Sequence, residues 1–160
     1  MREKLYNRNA AVDYARRWAL SRNPTYYNFE NLGGDCTNFA SQCIFAGAGI
    51  MNHTPVTGWF FNSLGSRSPS WTGVEYLYNF LTNNHSVGPY GHEVSEGEVS
   101  AGDIVQLGRN NGDFYHSPVI TAVYPKILVA AHTFDALDRP LDSYIYDKAR
   151  FIRIDGVRVW

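Results

Sequence analysis

Cysteine is scarce in this chain. There are two, Cys36 and Cys43, which is too few for the disulfide framework of a small secreted scaffold. They stand about two turns apart on one predicted helix, roughly 10 Å of rise. A disulfide needs Cα atoms about 4.4–6.8 Å apart, so both are expected as free thiols. Charge of one sign is also missing. Fourteen basic and 15 acidic residues leave a formal net charge of −1, and no broad attraction to nucleic acid or to an anionic membrane is expected. The histidines, His53, His85, His92, His116 and His132, form no close pair and no metal-ligand spacing. No metal and no cofactor is expected. No apolar run approaches the roughly 20 residues that span a bilayer. The stretch from Met1 to Arg8 lacks the apolar core of a signal peptide. A cytoplasmic protein, or a domain of a longer secreted one, is the expectation, and a monomer.

Aromatic residues, by contrast, are abundant: 11 Tyr, 9 Phe and 4 Trp in 160 residues. With 44% hydrophobic and 18% charged residues, the chain has the composition of one folded domain, 1–160, with a real core. So many aromatics suit a packed core, and equally a groove that holds peptide or sugar.

One stretch organises the rest: Gly33-Gly34-Asp35-Cys36-Thr37-Asn38-Phe39-Ala40-Ser41-Gln42-Cys43-Ile44. Two glycines permit a tight turn, and Asp35 is a natural N-cap. From Cys36 the apolar positions Cys36, Phe39, Ala40, Cys43 and Ile44 recur with helical spacing. Cys36 therefore falls in the first turn of a helix, where free N–H groups and the positive dipole end favour a thiolate. Cys43, mid-helix among apolar neighbours, reads as a buried structural thiol.

Around this stretch, Asn9 can cap a helix through about Ser21, with Ala11, Tyr14, Ala15 and Trp18 on one face, stopped by Asn23-Pro24. An aromatic loop from Thr25 to Leu32 leads into the Gly-Gly turn, and the Cys36 helix ends near Gly47 or Gly49. Ile50 to Pro69 is a long irregular segment. Ser70 caps a helix through about Thr82, with Trp71, Val74, Tyr78 and Leu81 on a stripe. Gly88-Pro89 and Gly91 mark turns. After Glu93 the pattern turns to strands at 103–107, 115–124 (irregular at Pro118) and 127–133, then a polar connection at 135–142 and a hairpin around Asp155-Gly156. Helices first and strands afterwards read as an α+β domain with an antiparallel sheet.

A cysteine nucleophile needs a base, and the base an orienting group. His116, at the start of a predicted strand beside a loop, is the candidate base. If the strands 115–124 and 127–133 pair about Pro125-Lys126, His132 falls beside His116 as the orienting group. Asp135 could fill that role, or fix His132 in turn. The backbone N–H of Cys36 is a candidate oxyanion donor. Tyr27 is a further candidate donor, unsupported by spacing, and Trp59 and Tyr115 could line a substrate groove. Asn38 lies about 200° round the helix from Cys36, so it and Gln42 read as structural hydrogen-bonders. Asp35 reads as a cap, and Trp71 as core.

Gly-Gly-Asp-Cys-Thr-Asn-Phe-Ala-Ser-Gln, Gly102-Asp103-Ile104-Val105-Gln106, His116-Ser117 and Ala131-His132-Thr133-Phe134-Asp135, in that order, resemble the "Putative amidase domain" family. That family is placed near the papain-like cysteine hydrolases that include the NlpC/P60 and CHAP cell-wall enzymes. The resemblance runs from the Tyr6–Trp18 helix to Ile154. It implies a papain-like fold, with N-terminal helices packed on an antiparallel sheet or partial barrel. It matches Cys36 and His116 to the family's catalytic pair, and His132 to the polar third position that NlpC/P60-type enzymes fill with His. Asp35-Cys36 is similar to the Asp-Cys pair of those enzymes. The third group stays open between His132 and Asp135. The implied activity is amide hydrolysis through an acyl-enzyme, on bacterial cell-wall peptide. Two alternatives stand beside it: an intracellular protein deamidase or protease of the same fold, and a peptide- or glycan-binding module without chemistry. Loss of Cys or His would mark the last, and both are present.

Overall fold

The computed structural model describes all 160 residues. Its centre is the helix α2, Cys36–Ala48, almost every residue of which is buried. A helix buried on all sides must be covered on all sides, and its buried polar residues, Thr37, Asn38, Ser41 and Gln42, are each hydrogen-bonded. One cover is α1, Arg8–Trp18, which is capped by Asn7 through the amide of Ala10, two residues before the expected Asn9. A second is the pair α3, Pro69–Thr72, and α4, Val74–Asn83. The sequence pattern predicts these as one helix; Gly73 is extended between them and breaks it. The third cover is the sheet. Gly49 ends α2 in the left-handed conformation that glycine adopts without strain.

The sheet is antiparallel and has eight strands: β1 (Arg2–Lys4), β4 (Gly88–Val94), β5 (Ile104–Gly108), β6 (Phe114–His116), β7 (Val119–Ala122), β8 (Leu128–Ala131), β9 (Ala136–Pro140) and β10 (Lys148–Val159). The small hairpin β2 (Phe61–Ser63) and β3 (Ser66–Arg67) stands apart in the segment predicted as irregular. The main path runs β1-β10-β5-β7-β8-β9, with β4 also on β10 and β6 also on β5. The expected 115–124 strand is divided into β6 and β7, because Pro118 has no N–H to give a ladder. The hairpin expected at Asp155-Gly156 is not formed: the chain runs straight through as β10, with only a register shift between Ile154 and Gly156 against β4. The expected connection at 135–142 contains β9, and the glycines taken as turns at 88–91 lie inside β4.

Two apolar clusters lie on opposite faces of the strands, and they obey the two-residue alternation of side chains. Ile104, Val119, Ala130, Ile152 and Ile154 join the large core with α1 and α2. Val105, Leu107, Ile120, Val129 and Phe151 join Val99 and Leu141 in a smaller one. The mixed α+β class agrees with the order of patterns in the sequence. No helix is long and apolar enough to cross a membrane.

Candidate active site

The turn before α2 is built by Gly33 and Gly34, both at positive φ (85° and 99°), where a side chain would be strained. It delivers Cys36 to the first position of α2. The thiol is 9% exposed. Its Sγ lies 3.9 Å from the carbonyl oxygen of Tyr115 and 3.7 Å from Oγ1 of Thr37. Thr37 is hydrogen-bonded to Ser117 at 3.2 Å, and Gln106 of β5 donates to Ser117 at 3.1 Å. The residues on either side of His116 are thus fastened to the first turn of α2. Both thiols are free, and Cys43 is fully buried.

His116 closes β6 opposite Leu107. Its ring makes no hydrogen bond and faces the Tyr144 ring, 5.9 Å between centroids. Burial, with the Arg139 guanidinium adding to it, pushes the imidazole down to about 4. Burial also pushes the Cys36 thiol up, and hydrogen bonds from Thr37 and the Ser117 backbone only partly oppose this. At neutral pH the pair is thiol and neutral imidazole. The thiolate expected from the helix start is outweighed by desolvation.

His132 takes partners other than those expected. The β7–β8 pairing about Pro125-Lys126 is present, yet the ring is not bonded to His116. Nδ1 meets Oδ2 of Asp35 at 2.5 Å, and Nε2 meets the carbonyl of Trp18 at 2.7 Å. Both ring nitrogens are thus engaged by protein partners. Phe39 stacks on it at 4.0 Å. The expectation that His132 orients His116 directly is corrected on these contacts: neither nitrogen is left to do so.

Asp35 is the hub of this arrangement rather than a simple cap. It stands at the N-cap position, but its carboxylate accepts no bond from a backbone amide of the next turn. It accepts from the amide of Phe29 at 2.8 Å, from Asn38 at 2.9 Å and from His132, with Nε of Arg22 at 3.4 Å. Burial pushes the carboxyl up, but the bonds from His132, Asn38 and Phe29 outweigh it and hold the group below its ordinary range. Asp135 reaches neither histidine. It forms a two-pronged ion pair with Arg22 at 2.8 and 3.0 Å.

The remaining candidates divide. Tyr27 is half-exposed, and its backbone carbonyl, not its hydroxyl, meets α2, through Asn38. Tyr115 touches Cys36 through its carbonyl, while Arg109 covers its ring at 4.5 Å. Trp59 is corrected from groove to core: it is fully buried, packs on Trp71 at 4.8 Å and donates to Ser41. Asn38 and Gln42 are structural, as expected, bonded to Trp71 and Tyr14 respectively. Sequence reasoning missed Tyr144, Arg139, Thr133 (whose hydroxyl accepts from the Asp35 amide at 3.0 Å) and the role of Arg22. Thr133 follows His132 directly, which is the one signal that could have found it. Arg22 and Tyr144 are brought in by segments without periodic pattern, and Arg139 by β9, a strand the sequence pattern does not show.

Comparison with known proteins gives a consistent picture. The chain is 33% identical over 136 residues to a Bacillus subtilis (strain 168) protein titled "Uncharacterized protein YhbB", a match covering 82% of this chain and 42% of that one. The chain thus spans less than half the length of this relative. No solved structure matches it. Residues 5–154 match a family description that takes in α2, the His116 strand and the Asp35–His132 pair, and the chain belongs to that family, "Putative amidase domain".

Proposed function

We propose that this protein is a cysteine-dependent amide hydrolase, with Cys36 as nucleophile and His116 as its proton carrier. One observation carries the reading. The thiol at the start of α2 contacts the carbonyl that precedes His116, and the His116 ring has no hydrogen-bond partner. The family description supports hydrolysis of an amide.

Because thiol and imidazole are both neutral, proton transfer accompanies attack instead of preceding it. His116 takes the Sγ proton as sulfur bonds to the amide carbonyl carbon. The carbonyl oxygen gains the negative charge, for which the Cys36 amide is the donor, since first-turn amides have no partner within a helix. The imidazolium then gives its proton to the leaving amine, and the C–N bond breaks to leave a thioester. Water, losing its proton to His116, attacks the thioester; the carboxylic acid leaves and the thiol is restored. Asp35 and His132 hold the turn that aims Cys36, and so act on geometry.

Resemblance to the NlpC/P60 and CHAP enzymes, in a papain-like fold, favours bacterial cell-wall peptide as substrate class. The test is mass spectrometry of purified cell-wall peptide after incubation with wild type or Cys36→Ala. New termini are expected with the wild type alone. Equal cleavage by both proteins would end the cysteine mechanism.

A further inference from the structure

Arg139 is a cation placed beside the site without a carboxylate to answer it. Its Cζ lies 3.7 Å from the centre of the Tyr144 ring, the same ring that His116 faces. Nε donates to the hydroxyl of Ser143 at 2.8 Å and Nη2 to the Ser143 carbonyl at 3.1 Å. Those are two of the five N–H donors of a guanidinium. The acidic residues nearest in sequence are engaged elsewhere. Asp138 accepts from Thr121 at 2.7 Å and pairs with Arg16, and Asp142 pairs with Lys126. The hydroxyl of Tyr144 is buried without a hydrogen-bond partner. A planar fork with donors to spare, held over an aromatic ring and fixed by Ser143, is built to receive a carboxylate.

We propose that Arg139 recognises a carboxylate on the substrate of the Cys36–His116 site, with the Tyr144 hydroxyl as a second donor, so that the bond cut lies near a free acid group. This rests on the reading of Cys36 as nucleophile. Such a cation also explains why burial alone is not the whole cause of the low basicity of His116.

The test compares two alkylating reagents of nearly equal size, iodoacetate and iodoacetamide, of which only the first carries a carboxylate. In both, the Cys36 sulfur displaces iodide and the thiol proton is lost. The rate of each reaction is followed at pH 7 on the intact chain, by mass spectrometry of the Cys36 peptide, and the ratio is referred to that of glutathione in the same buffer. His116 is neutral at that pH, so it offers no competing charge. In wild type the iodoacetate-to-iodoacetamide ratio is expected to exceed that of glutathione by about tenfold or more, the scale of a charge-assisted Arg–carboxylate contact. Arg139→Gln should bring the ratio back near the glutathione value, whatever it does to the two rates in common, and Arg139→Lys should keep part of it. A merely structural Arg139 would slow both reagents alike. A wild-type ratio equal to that of glutathione, or a raised ratio that survives Arg139→Gln, overturns the proposal and leaves Cys36 reactive. Failure of both reagents to label Cys36 removes the nucleophile itself, and the proposal with it.

Discussion

Two histidines in this chain are both buried, yet they are chemically opposite. His132 is bonded at each nitrogen, to Asp35 and to Trp18, while His116 is bonded at neither. The first is therefore fixed and the second is free to receive a proton. The same contrast separates the two aspartates near them. Asp35 is fully buried, and Asp135 lies at the surface on Arg22. Removing one member of a buried, hydrogen-bonded pair leaves the other uncompensated, at about 3–5 kcal/mol, whereas an exposed ion pair contributes about 0–1 kcal/mol. His132→Ala is thus expected to lower stability strongly and Asp135→Ala weakly, as read from urea midpoints. Where His132→Ala remains folded by circular dichroism, turnover on one amide substrate should fall roughly 10–1000-fold, since the partners that orient a reacting group act at about that scale or less. Asp135→Ala should stay near wild type. If Asp135→Ala instead loses activity while His132→Ala keeps it, the reading of His132 as the positioning residue fails, and the role falls to the Arg22–Asp135 pair.

At the scale of elements, the site depends on strands that the sequence pattern conceals. β4 holds Gly88, Pro89 and Gly91, all turn formers, and lies on β10 with Gly91 opposite Ile154. A Cβ on Gly91 would fall 1.9 Å from the carbonyl oxygen of Arg153. The glycine marks a close approach of two backbones, which composition cannot distinguish from a turn. Gly91→Ala is expected to lose about 1–3 kcal/mol, the range for forcing atoms into a packed site. Gly97→Ala, where a new Cβ meets nothing within 4 Å, should fall within about 0.5 kcal/mol of wild type. Equal urea midpoints for the two variants would show that β4 does not press on β10 in solution. What could be read beforehand follows the same line. The Cys36 helix was legible from its period, its Gly-Gly turn and its terminal glycine, and the β5, β7 and β8 strands from their apolar runs. The helix break at Gly73, the unbroken β10 and the strand β9 were not, because each is decided by a neighbour distant in sequence. In the candidate site, Cys36, His116 and His132 could be named in advance as candidates. The partner of His132 could not: whether its ring turned to His116 or to Asp35 depends on how α1, β8 and the α2 turn meet.

For the whole molecule, that meeting makes stability depend on pH in two separate windows. In an unfolded chain a histidine titrates near pH 6.5; in the folded chain burial and Arg139 bring His116 down to about 4. Between those values the unfolded state binds a proton at this residue and the folded state does not. Stability then rises with pH, and it is lost as pH falls from about 6.5 toward 4. A shift of that size amounts to something on the order of 3 kcal/mol. Asp35 acts lower. Its folded carboxyl is held below the ordinary range, so its contribution is complete above the unfolded carboxylate pKa and is lost only as pH falls below about 4. Urea unfolding of wild type and His116→Gln at pH 7.5 and 4.5 isolates the upper window. The wild type is expected to lose stability between the two, and the variant to lose less by about the His116 contribution. Parallel losses would mean that the His116 ring takes up its proton within the folded protein as readily as outside it. Cys36 is buried as His116 is, so water is held away from the thiol too. On the proposed mechanism, a base held neutral down to pH 4 is available over the whole neutral range, so turnover should be flat there and fall on the acid side. His116→Gln should therefore abolish turnover and, in the same variant, remove the first loss of stability.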